Sequence, residues 1–186
     1  MPGQTPNWFV GFPVQGDSWC PVSANHVPGS IRLYHPDDLH ITMAFLGSVS
    51  QRKALKAWKK VTNLKLEPVT ISFNQLKPFG AFSTPSAYGL TLDTGRDSVA
   101  NTISTHRRKI LGAVGKKPRD GRVVPHVTIA RPNRRLSKGD VYAIAEWRHE
   151  FEIPEVEVNL TEIALYTWAP PQAPQRFRKI ETMQLK

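Results

Sequence analysis

The chain has a single cysteine, Cys20, among its 186 residues. That excludes an internal disulfide and any cysteine-based zinc site. No apolar run approaches the roughly 18 residues that a spanning helix needs. The opening MPGQTPNWFVGFPV carries neither a basic leader nor a long apolar stretch, so no signal peptide is expected. These absences lead us to expect a cytoplasmic protein with no membrane partner. Acidic residues are also scarce. Fifteen Asp and Glu face 25 Lys and Arg, which leaves a net charge of +10. Such a field attracts polyanions and speeds their association, which points to nucleic acid or phosphate partners.

Periodic apolar segments recur from end to end, and apolar residues make up 40% of the chain, enough to build a core rather than a disordered polymer. No stretch reads as a linker, so residues 1–186 are expected to form a single domain. NWFVGFPV (7–14) reads as a strand. QGDSWCPVSANHVPGS (15–30) reads as loop, since no helical period survives there. DDLHITMAFLG reads as a strand closed by Gly47. A helix capped by Ser48 or Ser50 follows, with Ala54, Leu55, Trp58 and Val61 at helical spacing. EPVTISFNQLKPFG reads as a strand running into a Pro-Phe-Gly turn, and SAYGLTLDTG as another strand. DSVANTISTHRRKILGAVG is a helix, with Asp97 or Ser98 as its cap and Gly115 as its stop. VVPHVTIAR is a strand, SKGDVYAIAEWRHE a shorter helix, and FEIPEVEVNLTEIALYTW one or two strands broken near Pro154. A last strand lies in RFRKIETMQLK.

Two phrases repeat: LHITMAF at 39–45 and PHVTIAR at 125–131. A helix begins soon after each. The strand around Val69 follows His40 by 29 residues, and the strand around Val156 follows His126 by 30. Matched spacing of this kind indicates a duplicated supersecondary unit. Two copies give an α+β fold of two lobes, each a mostly antiparallel sheet with helices on its outer face. Side chains alternate along a strand, so His40 and Thr42 share a face, as do His126 and Thr128. A pseudo-twofold axis would bring both pairs into one cleft.

Two imidazoles and two hydroxyls suit phosphoryl chemistry without a metal. One imidazole takes a proton from water and the other protonates the leaving oxygen. The hydroxyls bond the non-bridging oxygens as charge builds on phosphorus. Arg131 lies five residues past His126, nominally on the opposite face, and reaches the cleft only if the strand twists or ends nearby. Neither motif has a carboxylate or cysteine at metal-ligand spacing, so neither metal nor cofactor is expected.

With RLYHPDDLHITMAFLG and VPHVTIAR in place, the chain resembles the two-histidine phosphoesterases. Within them it is similar to the RNA 2′,3′-cyclic phosphodiesterases, also called 2′-5′ RNA ligases. FVGFPV, LKPFG and TEIALYTW extend the resemblance over nearly the whole chain. It implies a bilobal fold around a V-shaped cleft, with His40 and His126 catalytic and Thr42, Thr128 and Arg131 binding phosphate. The implied substrate is RNA or a nucleotide with a 2′,3′-cyclic phosphate end, opened to a 2′-phosphate by a monomeric enzyme. His126 is assigned as base and His40 as acid, on a site whose near-symmetry would let them exchange. Weak 2′-5′ ligation is the reverse reaction. The alternatives are cleavage of 2′-5′ oligoadenylate by the same residues, and a non-catalytic module that binds RNA ends. The resemblance also implies a helix before the first motif, where this chain has the loop at 15–30, and a tyrosine where it has Phe177.

Around the second motif, Arg107, Arg108, Lys109, Lys116, Lys117, Arg119, Arg122, Arg131, Arg134 and Arg135 suggest a track for an RNA backbone. Phe9, Phe12, Phe79, Phe82 and Tyr88 are candidates for stacking a base. His26, His35, His106 and His149 have no repeat partner and are expected to be structural or on the surface.

Overall fold

The computed structural model describes residues 5–16, 19, 27–81, 84–118, 121 and 123–186. Cys20, His26, Phe82, Arg119, Arg122 and most of the expected loop at 15–30 lie outside them. Ten strands are described: β1 (Asn7–Pro13), β2 (Ile31–Leu33), β3 (His40–Ser48), β4 (Val69–Ile71), β5 (Phe73–Gly80), β6 (Pro85–Leu92), β7 (His126–Pro132), β8 (Val158–Leu160), β9 (Glu162–Trp168) and β10 (Phe177–Gln184). The helices are α1 (Gln51–Val61), α2 (Arg96–Gly112) and α3 (Lys138–Glu150).

The expected α+β architecture of two antiparallel halves is present. One half runs β10-β9-β1-β3, the other β7-β6-β5 with β2 added beside β7. A single residue pair, Ile41 with Val127, joins β3 to β7 and makes the halves one sheet. Strand, helix, strand follows each motif, as β3-α1-β4 and β7-α3-β8. The equivalent strands also meet antiparallel, β3 with β7 and β4 with β8, the latter centred on Thr70 opposite Asn159. Antiparallel contact between matching strands is what a local twofold axis produces, and it supports the duplicated unit.

The helices follow from their sequences. In α1, Ser50 caps the first turn through Lys53 N at 3.4 Å, and Ala54, Ala57, Trp58 and Val61 form the buried stripe. In α3, Ser137 and Asp140 bond reciprocally in a capping box. Gly115 ends α2 with φ 76°. Helix α2 packs on β3, and α1 packs on α2 and β1. They cover the sheet face that carries Ile41, Met43 and Leu46, which are at most 2% exposed. The other face of β3 is left for the site.

Several expectations are corrected. Neither Asp97 nor Ser98 caps α2. Gly95 does, at φ 72°, because a Cβ there would lie 2.5 Å from the Thr70 carbonyl oxygen, and Asp97 turns outward to Arg96. Pro78, Phe79 and Gly80 belong to β5 rather than to a turn. The strand expected around Val156 begins at Val158, and 151–157 carry no strand. Strand β2 was not foreseen. It is three residues long and exists through its pairing with β7.

The β9–β10 hairpin is clasped to the turn before β3. The Asp38 carboxylate, 1% exposed, accepts from the backbone N–H of Arg176 at 2.8 Å and of Phe177 at 2.8 Å. Asp38→Ala would leave both donors unpaired in a dry site. We expect a stability loss of about 3 kcal/mol, read as a lower urea midpoint at constant slope. A midpoint equal to wild type would show that the clasp carries no stability.

Candidate active site

Ile41 and Val127 are 1% and 0% exposed, so their side chains point into the core. Their neighbours in both strands point the other way. The register set by this pair brings Thr128 level with His40 and Thr42 level with His126. All four expected side chains therefore meet on one face, with the motifs contributing equally.

Each histidine is supported in the same manner. His40 Nδ1 bonds the Asp38 carbonyl at 2.6 Å, and His126 Nδ1 bonds the Val124 carbonyl at 2.8 Å. In the neutral ring this places the proton on Nδ1 and leaves Nε2 as the free acceptor. The rings lie on aromatic faces, His40 on Phe9 at 4.5 Å and His126 on Phe79 at 3.7 Å between centroids. A glycine stands beside each threonine: Gly11 pairs with Thr42, and Gly89 with Thr128. A Cβ on Gly11 would fall 3.4 Å from His40 Cδ2 and 2.9 Å from the Ile41 carbonyl oxygen. On Gly89 it would fall 3.1 Å from His126 Cδ2, Phe79 Cε2 and the Val127 carbonyl oxygen. Both imidazoles thus occupy room that any larger residue would take.

Arg131 reaches the same face, through a cause that strict alternation misses. The β6–β7 register shifts between Tyr88 and Gly89, which leaves Ile129 as an extra residue. A bulge restarts the alternation, so Arg131 follows Thr128 on the site face. The β1–β3 register shifts in the same way past Met43, which puts Phe45 in the equivalent position. Thr42 and Arg131 are exposed, and His40, His126 and Thr128 are half-buried.

Burial dominates the electrostatics. It pushes the His40 imidazole down to about 4, helped by His126 and Arg131 and opposed by the Asp38 carbonyl. Burial also lowers His126, against the Val124 carbonyl. Both rings are neutral at neutral pH in the free protein. Among the described residues, no group of three or more His, Cys, Asp or Glu is arranged to hold a metal ion.

The other sequence candidates divide. Phe9, Phe12 and Tyr88 are at most 4% exposed and do not stack a base. Phe79 backs His126, and Phe177 stands edge-on to His40 at 5.6 Å. Arg107, Arg108 and Lys109 ride on α2, behind the sheet, and the Lys116 ammonium bonds the Leu46 carbonyl at 2.6 Å. Among the unforeseen site residues, Gly11 and Gly89 were detectable, because a glycine inside a strand marks a close approach. Asp38 lies in the turn before β3. It is also the clasp of the hairpin, and its carbonyl orients His40.

A family model described as the 2′-5′ RNA ligase superfamily matches residues 24–171. A Bacillus subtilis (strain 168) protein named RNA 2′,3′-cyclic phosphodiesterase is 25% identical over 137 residues, 70% of this chain and 74% of its own. An Aeropyrum pernix protein of the same name is 23% identical over 137 residues, 74% of this chain and 77% of its own. The crystal structure of Escherichia coli LigT complexed with 3′-AMP superposes with a TM-score of 0.70 at 18% identity, covering 97% of this chain and 98% of that one, which shows a shared fold. The matched model spans both histidine motifs and most of the chain between the first and last strands: this chain belongs to the 2′-5′ RNA ligase superfamily, the two-histidine phosphoesterases.

Proposed function

We propose that the protein is an RNA 2′,3′-cyclic phosphodiesterase that opens the cyclic phosphate of an RNA or nucleotide end to a 2′-phosphate. The observation that carries this reading is the meeting of two His-x-Thr motifs on one face, each with Nε2 free. The relatives' names point to the same reaction.

In this mechanism His126 removes a proton from water as the water oxygen bonds to phosphorus. The bond from phosphorus to the 3′ oxygen breaks, and His40 gives that oxygen a proton. Thr42, Thr128 and Arg131 hold the non-bridging oxygens, where negative charge grows. Phe9 and Phe79 fix the ring planes, so little freedom is lost when substrate binds. For His40 to act as acid it must gain a proton in the complex. The negative charge of the phosphodiester supplies the cause, since an anion beside an imidazole favours its charged form. Run backwards, the same steps join a 2′-phosphate or cyclic end to a hydroxyl, which would give the 2′-5′ ligation.

The reading is tested by incubating the protein with a 2′,3′-cyclic mononucleotide and with an RNA bearing that end, in excess EDTA, and following the phosphorus resonance. We expect conversion to a 2′-phosphate, and loss of about 10²–10⁴ in rate for His40→Ala or His126→Ala. Unchanged cyclic phosphate on both substrates would refute the reading. Conversion that stops with EDTA would transfer the chemistry to a metal.

The pH dependence has a defined sign. Both imidazoles are lowered in the free protein, and bound anion raises them. The bell in kcat, which reports the complex, should therefore lie at higher pH than the bell in kcat/KM, which reports the free protein. Coincident bells would mean that substrate charge does not act on the histidines.

A further inference from the structure

The face that carries His40 continues past Arg131 to two further arginines, Arg32 and Arg176, that the two-histidine chemistry does not use. Arg32 on β2 stands directly opposite Arg131 on β7. Like charges opposed across a strand pair destabilise it. Arg176, in the β9–β10 connection just before β10, joins them from the other half of the sheet. The Arg131 and Arg176 guanidinium carbons lie 5.9 and 5.7 Å from the centre of one ring, that of Tyr34. Arg131, Arg176 and Arg32 all act to lower the Tyr34 hydroxyl, while burial, the largest influence, raises it. Tyr34 is 5% exposed, and its ring stacks 6.2 Å from Phe177, which itself touches His40.

Two guanidinium groups thus stand over one buried ring with Arg32 opposite one of them, and among the described residues none of the three is ion-paired to a carboxylate. The acidic group beside them is Asp38, and its carboxylate is committed to the N–H groups of Arg176 and Phe177. That commitment holds the Arg176 backbone, and with it the position of its side chain. The aromatic face steadies two of the guanidinium groups without neutralising them. A site that concentrates three exposed guanidinium groups on a rigid support, against one buried carboxylate already bonded to backbone N–H groups, is built for an anion from outside.

We propose that Arg32 and Arg176, with Arg131 linking them to the histidines, bind the phosphodiester on the 5′ side of the nucleotide that carries the cyclic phosphate. The inference rests on the phosphodiesterase reading and gives it a substrate class. The preferred substrate is the end of an RNA chain, since a cyclic mononucleotide has no such phosphodiester. Arg131 then serves both phosphates, or passes the backbone from one to the other. The surface is specific to charge and position rather than to base, because guanidinium groups read phosphate oxygens.

The test compares a 2′,3′-cyclic mononucleotide, a short RNA ending in that group, and the same RNA with a neutral methylphosphonate at the last internucleotide linkage. We expect the wild type to favour the charged RNA over both others. Arg32→Gln and Arg176→Gln should each raise KM for the charged RNA about tenfold, with kcat and the mononucleotide kinetics unchanged. The salt dependence of log KM for the RNA should weaken by roughly 0.7 per arginine removed. Equal effects on RNA and mononucleotide, no effect on either, or equal use of the charged and methylphosphonate RNAs by the wild type would each overturn the inference. Failure of the wild type to turn over any of the three substrates would instead overturn the phosphodiesterase reading, and this inference with it.

Discussion

The contact between Ile41 and Val127 is the constraint on which the site depends. It is one antiparallel pair, fully buried, and it is the point at which the two halves of the sheet touch through β3 and β7. Because a strand alternates its side chains, burying this pair obliges the residues on either side to face outward. Those residues are His40 and Thr42 in one strand and His126 and Thr128 in the other. A slip of one residue in either strand would send one histidine into the core and leave the other without a partner. Core packing thus sets the register that the chemistry needs.

The halves support their histidines with matching parts: a carbonyl two residues back, an aromatic face and a glycine beside the threonine. Matching support explains why both rings present the same nitrogen, while burial holds them neutral in the free protein against the two carbonyls. The symmetry ends one step further along each strand. Phe45, 56% exposed, stands where the other half has Arg131. Charge is therefore concentrated beside His40, where Arg32 and Arg176 add to Arg131. The site is symmetric at the two histidines and asymmetric around them, and under the proposed reading this asymmetry gives a chain of phosphates one direction in which to lie.

Much of this was legible in the sequence, because it rests on short-range rules. His-x-Thr within an apolar strand implies one face, and a repeated order of elements implies two lobes. The rest depended on contacts distant in sequence. The bulges at Met43 and Ile129 arise from registers with β1 and β6, and nothing local to PHVTIAR reveals that Arg131 returns to the histidine face. Strand β2 is too short to show a period. Gly95 replaces the expected cap of α2 because β4 passes too close for a side chain. Nothing local to Asp38 reveals its clasp, since its partners lie 138 and 139 residues away. Basic residues near the second motif in sequence were credited with a track, yet those on α2 lie behind the sheet. The arginines that gather beside His40 come from β2, β7 and the connection just before β10.

The central claim is that two histidines from two halves act on one phosphate. Its most direct measurement is a proton NMR titration of both imidazoles, free and with one equivalent of a nucleoside 2′-phosphate. The account predicts that His40, near 4 in the free protein, and His126 both move to higher pH on binding, with the two resonances tracking a single occupancy. A shift confined to one histidine, or shifts that follow different occupancies, would contradict it.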